Sequence, residues 1–242
     1  MTRTALIAAM MTMTAPAIAQ TAAAPSTPTP APAPAGQMTQ AQVAAFNQAV
    51  TDFTAGQTAQ QGGDNAGALA KYETALPAIR TAVQSQPANI DNVGFLANAL
   101  YAAAAASGAQ QQLDKTLAYY EESAPHWRKV VAAKPADAVS RDILAGILVQ
   151  LGNAKLSKQD KAGADPLYAE ALTLSRKSVA EKAADPVAKN LLLSALIGAS
   201  QTSADAKVKE EAVTTAKAML TDGSVDAVNK PSAQALTGTP AA

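Results

Sequence analysis

Laid over itself at an offset of 48 residues, the chain meets its own residues again and again. Tyr72, Tyr120 and Tyr168 coincide, as do Arg80, Arg128 and Arg176, and Val83, Val131 and Val179. Ala88, Ala136 and Ala184 form a fourth column, Leu96, Leu144 and Leu192 a fifth, and Leu100, Leu148 and Leu196 a sixth. Other columns keep the chemistry rather than the residue: Phe95/Ile143/Leu191, Ala75/Ser123/Ala171 and Asn89/Asp137/Asp185. Pro77 recurs as Pro125 and Pro87 as Pro135, while the third copy moves its second proline to Pro186. A fixed period of this size means supersecondary units that bury their apolar faces against one another.

Each unit reads as two helices. Leu69, Tyr72, Leu76, Ile79 and Val83 step by three and four, and the next copy repeats the spacing with Leu113, Leu117, Tyr120, Trp127 and Val131. That is one apolar face of a helix. A second type carries Phe95, Leu96 and Leu100, then Ile143, Leu144, Ile147, Leu148 and Leu151, then Leu191, Leu192, Leu196 and Ile197. Alanine supplies 61 of the 242 residues, and alanine is the best helix former. Breaks fall where caps belong: Gly62-Gly63-Asp64, Pro87-Ala88-Asn89, Pro135-Ala136-Asp137, and Asp165-Pro166 as an N-cap with proline at the first helical position. The pattern predicts about eight helices, near 39–61, 64–86, 89–107, 110–134, 137–158, 161–184, 187–201 and 204–220. The fold class is all-α, an α-solenoid of antiparallel helical hairpins, with partial repeats capping both ends. Pro77 and Pro125 fall inside helices, where each removes one backbone bond and bends the helix at the same repeat position.

The segment Gly63-Asp64, Ala68, Tyr72 and Ala75-Leu76 resembles the turn and second helix of a tetratricopeptide repeat. The third copy keeps Ala164, Tyr168, Ala171 and Leu172; the second has Thr116, Tyr120, Ser123 and Ala124. The resemblance covers residues 39–220, with a period of 48 in place of the family's usual 34. It implies an α-solenoid whose concave face holds an extended peptide or a partner protein, with no chemistry of its own.

The ends are of different composition. Residues 1–19 read as a signal peptide: Arg3 is the positive start, Ala5–Met13 the apolar run, and Ala17-Ile18-Ala19 the small-x-small motif that places cleavage after Ala19. The apolar run is too short to span a bilayer, and no later segment is long and apolar enough, so no stable membrane insertion is expected. Residues 20–37, with prolines at 25, 28, 30, 32 and 34, form an Ala/Pro-rich tether that favours extended polyproline II. Residues 38–221 form the helical repeat domain, and 222–242, low in apolar periodicity, a flexible tail. An exported chain is expected, in the periplasm or secreted.

Composition removes several function classes. Nineteen basic and nineteen acidic residues cancel, which speaks against a nucleic-acid binder. Without cysteine there is no disulfide framework, thiolate nucleophile or zinc-thiolate site. His126 is the single histidine. With Glu122 four residues earlier it forms a surface pair rather than a metal site, which needs about three protein ligands. Adjacent Glu121 and Glu122 point about 100° apart on a helix and read as solvated. Ser123, Ser140 and Ser194 lack a nucleophile-elbow setting, and no phosphate-binding glycine loop occurs. No catalytic, cofactor-binding or metal residues are expected.

The repeated arginines admit two readings, a basic ladder for an acidic peptide terminus or pairs with acidic groups of neighbouring units; the second is favoured. Tyr120 is assigned to the interhelical seam because it repeats, while Tyr101 and Tyr119 remain open to peptide contact. Groove candidates are the polar residues one step off the apolar stripe of each hairpin's first helix: Asn47, Asn98, Arg141, Lys189 and Asn190. Their amides suit a peptide backbone and their cations a carboxylate. The expected function is a non-enzymatic interaction scaffold or assembly factor of the bacterial envelope. Alternatives are a peptide-binding chaperone-like module and, less favoured, a helical hydrolase or transferase.

Overall fold

The computed structural model describes residues 36–239, so the signal peptide, its cleavage point and residues 20–35 of the tether lie outside the described residues. Those described are all-helical, with no strand. The helices are α1 Gln40–Gln61, α2 Asn65–Ser85, α3 Ile90–Ala109, α4 Leu113–Ala133, α5 Ala138–Ser157, α6 Lys161–Glu181, α7 Pro186–Thr202, α8 Ala206–Thr221 and α9 Lys230–Thr237. The first eight match the helices predicted from periodicity to within three residues at every end. No described helix is long and apolar enough to cross a membrane. The described residues fall into two compact units, 36–126 and 127–239, whose boundary lies within α4. In each, consecutive helices pack as pairs, the local architecture of an α-solenoid of helical hairpins.

The period is built into the turns. After the first helix of each hairpin the chain passes through one left-handed residue: Gly63 (φ 84°), Gln111 (φ 61°) and Gln159 (φ 63°), 48 residues apart. The next amide then reaches back five residues, Asp64 N to Ala59 O (2.9 Å), Gln112 N to Ser107 O (3.0 Å) and Asp160 N to Lys155 O (3.0 Å). These bonds satisfy carbonyls that the helix end would otherwise leave open. The turns between hairpins are capped by the Asn89/Asp137/Asp185 column, whose side chains accept from the first amides of α3, α5 and α7.

Three sequence expectations change. Asp165-Pro166 does not open α6: Asp160 does, accepting from Gly163 N at 2.8 Å as Asp64 accepts from Gly67 N at 2.8 Å, and Pro166 lies inside the helix. The turn sets the start because its left-handed residue fixes where the next helix begins. Leu113 is 66% exposed, since it stands at the very start of α4, ahead of the stripe it was assigned to. Residues 222–239 do not form a free tail: α9 packs on α7 and α8, with Ala233 set among Leu193, Ala216 and Met219. Val225 and Leu236 pack against that cluster, and polar bonds fix the approach to the helix. Asn190 donates to Ser224 O (2.9 Å) and accepts from Asp226 N (2.8 Å), and Ser194 donates to Asn229 Oδ1 (2.7 Å).

The tyrosine column forms the seams. Tyr72, Tyr120 and Tyr168 are buried, and Tyr72 and Tyr168 send their hydroxyls to Gln60 (2.8 Å) and Asn153 (2.7 Å). Glycines make room for the rings. A Cβ on Gly56 would lie 2.6 Å from Tyr72, one on Gly152 2.8 Å from Tyr168 Cε1, and one on Gly198 closer still to the same atom. Tyr168 is thus wedged between α5 and α7. Burial pushes the phenols of Tyr72 and Tyr168 up to about 12 and that of Tyr120 higher still.

Candidate functional site

The charges that repeat are paired across helices. Arg80 grips Glu122 through Nε (2.6 Å) and Nη2 (2.8 Å), and Arg128 grips Glu170 the same way at 2.8 and 2.7 Å. Arg176 reaches Glu211 at 2.5 Å. Glu122 and Glu170 are themselves 48 residues apart, so the ladder is a property of the repeat. Each pair is one-third to one-half exposed and contributes roughly 0–1 kcal/mol, which aligns helices more than it stabilises them. Glu122 thereby serves Arg80. Tyr119 donates to Glu73 at 2.8 Å beside Lys115, and Tyr101 lies against Tyr120 with centroids 6.2 Å apart.

The five groove candidates separate. Asn47 is exposed on α1, Asn98 is half-buried on α3 and Lys189 half-buried on α7. Asn47 occupies the repeat position of Phe95, and its neighbours Gln48 and Asp52 occupy those of Leu96 and Leu100. Gln48 and Lys71 both bond Asp52, at 3.2 and 3.1 Å. The first helix thus exchanges apolar columns for polar ones, as a capping helix does. That signal was readable by extending the 48-residue offset one copy back.

Arg141 and Asn190 do not line an open groove. Asn190 is buried and holds the segment before α9, as described above. Arg141 is 1% exposed: its Nε donates to Ser178 Oγ (3.0 Å), its Nη1 to Pro135 O (3.3 Å) and its Nη2 to Glu181. Ser178 passes its own hydroxyl hydrogen to Asp142 Oδ1. Side-chain length misled the sequence reading, because a guanidinium placed at a surface position reached inward to partners on α6. None of this repeats. One period earlier the positions of Arg141, Asp142, Ser178 and Glu181 hold Val93, Gly94, Val130 and Ala133, none of them charged. Burial pushes the Asp142 carboxyl up, partly offset by the Ser178 hydroxyl and by the charges of Arg141 and Lys182.

Asp142 begins a stripe along the partly exposed side of α5: Asp142, Gly146, Gln150, each one helical turn from the next. Gly146 differs from the other helical glycines just described. Gly56, Gly152 and Gly198 face tyrosine rings, and Gly67 and Gly163 sit against the capping carboxylates of Asp64 and Asp160. A Cβ on Gly146 would meet only Leu191 Cδ1 of α7, at 4.0 Å, an ordinary contact. A mid-helix glycine costs about 0.5–1 kcal/mol against alanine. Among the described residues no other side chain lies within 4 Å of that position. No family model matches the chain, and no curated protein matches it.

Proposed function

We propose that this chain is a non-enzymatic scaffold or assembly factor that works by protein–protein interaction, built on hairpins of tetratricopeptide type and exported to the bacterial envelope. The observation that carries the reading is a division among polar residues. Those that repeat pair with one another across helices, whereas on the partly exposed side of α5 Gly146 and Gln150 do not repeat, and Gln150 makes no side-chain hydrogen bond among the described residues. In a repeat array the framework sits in the periodic columns and the particular role in departures from them. The leader motif ending at Ala19 supports export, and the periplasm is the favoured destination.

The α5 stripe also favours a second reading, a peptide-binding chaperone-like module. A hydrolase or transferase is the least supported: the chain has one histidine and no cysteine. The test is a pull-down from the envelope fraction with residues 20–242 as bait. One stoichiometric partner retained through high-salt washing supports a scaffold, and many substoichiometric unfolded clients support the chaperone reading. Retention of nothing refutes both. Amino-terminal sequencing of the exported product should begin at Gln20; full-length protein confined to the cytoplasm overturns the export proposal.

A further inference from the structure

We infer that the protein pairs with a second copy of itself through α4, the two helices lying antiparallel with Glu121 of each copy set against Lys129 of the other. This contact is separate from any interaction with another protein and does not depend on it.

α4 is one unbroken helix from Leu113 to Ala133. At 3.6 residues per turn, Ala118, Glu121, Pro125, Lys129 and Ala132 fall within a wedge of about 80° on it. All five are exposed. Glu121 and Lys129 are the charges of this strip, and neither has an opposite charge three or four residues away, where a helical ion pair would form. The next helix supplies none to Glu121 either. Glu73, one period earlier, is held by Lys115 and Tyr119 of α4. One period on, the places of Lys115 and Tyr119 are taken by Gly163 and Leu167 of α6. Glu121 and Lys129 make no side-chain hydrogen bond or ion pair among the described residues. The helix dipole does not account for them, since it acts within the first and last turn and both lie outside those turns.

An acid and a cation at equal distances from Pro125 make the strip complementary to its own reverse. A two-fold axis at Pro125 sets each Glu121 against the Lys129 of the other copy and each Ala118 against an Ala132, so both ion pairs form together. The small residues between the charges let the helix axes approach to about 8–10 Å, which keeps the pairs within reach. A parallel arrangement would set like charges against each other. The corresponding strip of α2 is Ala70, Glu73, Pro77, Thr81 and Gln84, without a cation, and that of α6 is Pro166, Ala169, Thr173, Lys177 and Ala180, without an acid. Self-complementarity is therefore particular to α4. One helix face per copy belongs to the small class of contacts, under about 1,200 Å², so the dimer is reversible and salt-sensitive.

The experiment is sedimentation velocity on the chain from residue 20, at about 10 μM to about 1 mM, the range of weak complexes. The native chain should pass from monomer to dimer as concentration rises. Salt at about 1 M, which shortens the screening length to about 3 Å, should return it towards monomer. Glu121→Lys and Lys129→Glu each set like charges together twice per dimer, and each should weaken self-association at least about tenfold. Mixed one to one, the two variants should dimerise as the native chain does, because each then offers the charge the other lacks. A chain carrying both changes should dimerise with itself. A folding defect in either single variant would give no such rescue, and far-ultraviolet circular dichroism should be the same for all four chains. A monomer across the whole range, self-association indifferent to either reversal, or a mixture no stronger than its components overturns the inference. None of these outcomes touches the scaffold reading, which the envelope pull-down tests on its own.

Discussion

The two compact units share one repeat but fill it differently. In residues 36–126 the packing is aromatic: Phe46, Phe53 and Phe95, all the phenylalanines of the chain, meet edge to face, and Phe53 also lies against Tyr72. In residues 127–239 the position of buried Val93 is taken by buried Arg141, and charges enter the hairpin. The surfaces differ as well. Residues 36–126 carry three basic and seven acidic groups, net −4, and all three cations are ion-paired. Residues 127–242 carry fifteen basic and twelve acidic groups, net +3. The neutral total therefore hides two opposite halves. The lesson is that caps, left-handed turn residues and tyrosine seams define the hairpin, and the residues between them are free to be apolar or ionic.

The largest expected effects are in the interiors. Tyr72→Ala and Tyr168→Ala should each cost about 3–5 kcal/mol, as for other buried aromatics, measured by urea melts. A near-native midpoint for either would move that ring from seam to surface. Arg141→Ala should cost about 1–3 kcal/mol by taking the donor from Ser178 Oγ and Pro135 O, while Glu181, 41% exposed, meets water instead; Val93→Ala in the other unit should cost about 2 kcal/mol. Replacing the cluster together (Arg141→Val, Asp142→Ala, Ser178→Ala, Glu181→Ser) should instead be neutral or stabilising by up to about 4 kcal/mol. A large loss in the joint variant would mean that the hairpin α5–α6 requires its charges.

Next comes the wedge. Gly198→Ala pushes a methyl into Tyr168 and should cost about 1–3 kcal/mol by overpacking. A neutral result would show that the ring has room to shift.

Alkaline pH should unite the two units. The phenols of Tyr72 and Tyr168 are both held up to about 12, while an unfolded chain ionises them near their ordinary value of about 10. The folded state then binds more protons between those values, so stability is unaffected below pH 10 and falls as pH rises towards 12. Tyrosinate absorbance of these residues should appear only with loss of helix. Ionisation without unfolding would show that water reaches the rings.

The smallest effect is a gain. Gln111 and Gln159 adopt the left-handed conformation that Gly63 occupies without penalty. Gln111→Gly and Gln159→Gly should each stabilise by about 1 kcal/mol, equally in both units, as read from thermal melts. Unequal gains would show that one turn is held by more than its backbone.

Helix positions were legible in the sequence because they follow from local rules. Apolar spacing of three and four, a capping Asn or Asp and a turn residue act over a few residues each, and the 48-residue period repeats them often enough to read. The burial of Tyr72, Tyr120 and Tyr168 followed from the same recurrence. Of the candidate site, the pairing of the repeated arginines was also legible, since a charge that recurs with the fold is most economically met by the fold. What did not recur was not legible. The column of Arg141 holds Val93 one period earlier, which marks it as interior, but the partners Ser178 and Glu181, nearly forty residues away in the chain, have no counterpart in the pattern. Nor does Asn190 announce that it holds Ser224 and Asp226 and so orders α9. Gly146 looks in sequence like Gly152, six residues on, and only packing separates them: a Cβ on Gly152 would run into the Tyr168 ring, and one on Gly146 would make an ordinary contact with Leu191. The ends of α1–α8 follow, to within three residues, from neighbours along the chain. Tertiary structure alone decided which polar side chains were enclosed and which glycine was left uncovered, because those depend on what another helix brings within a few ångströms.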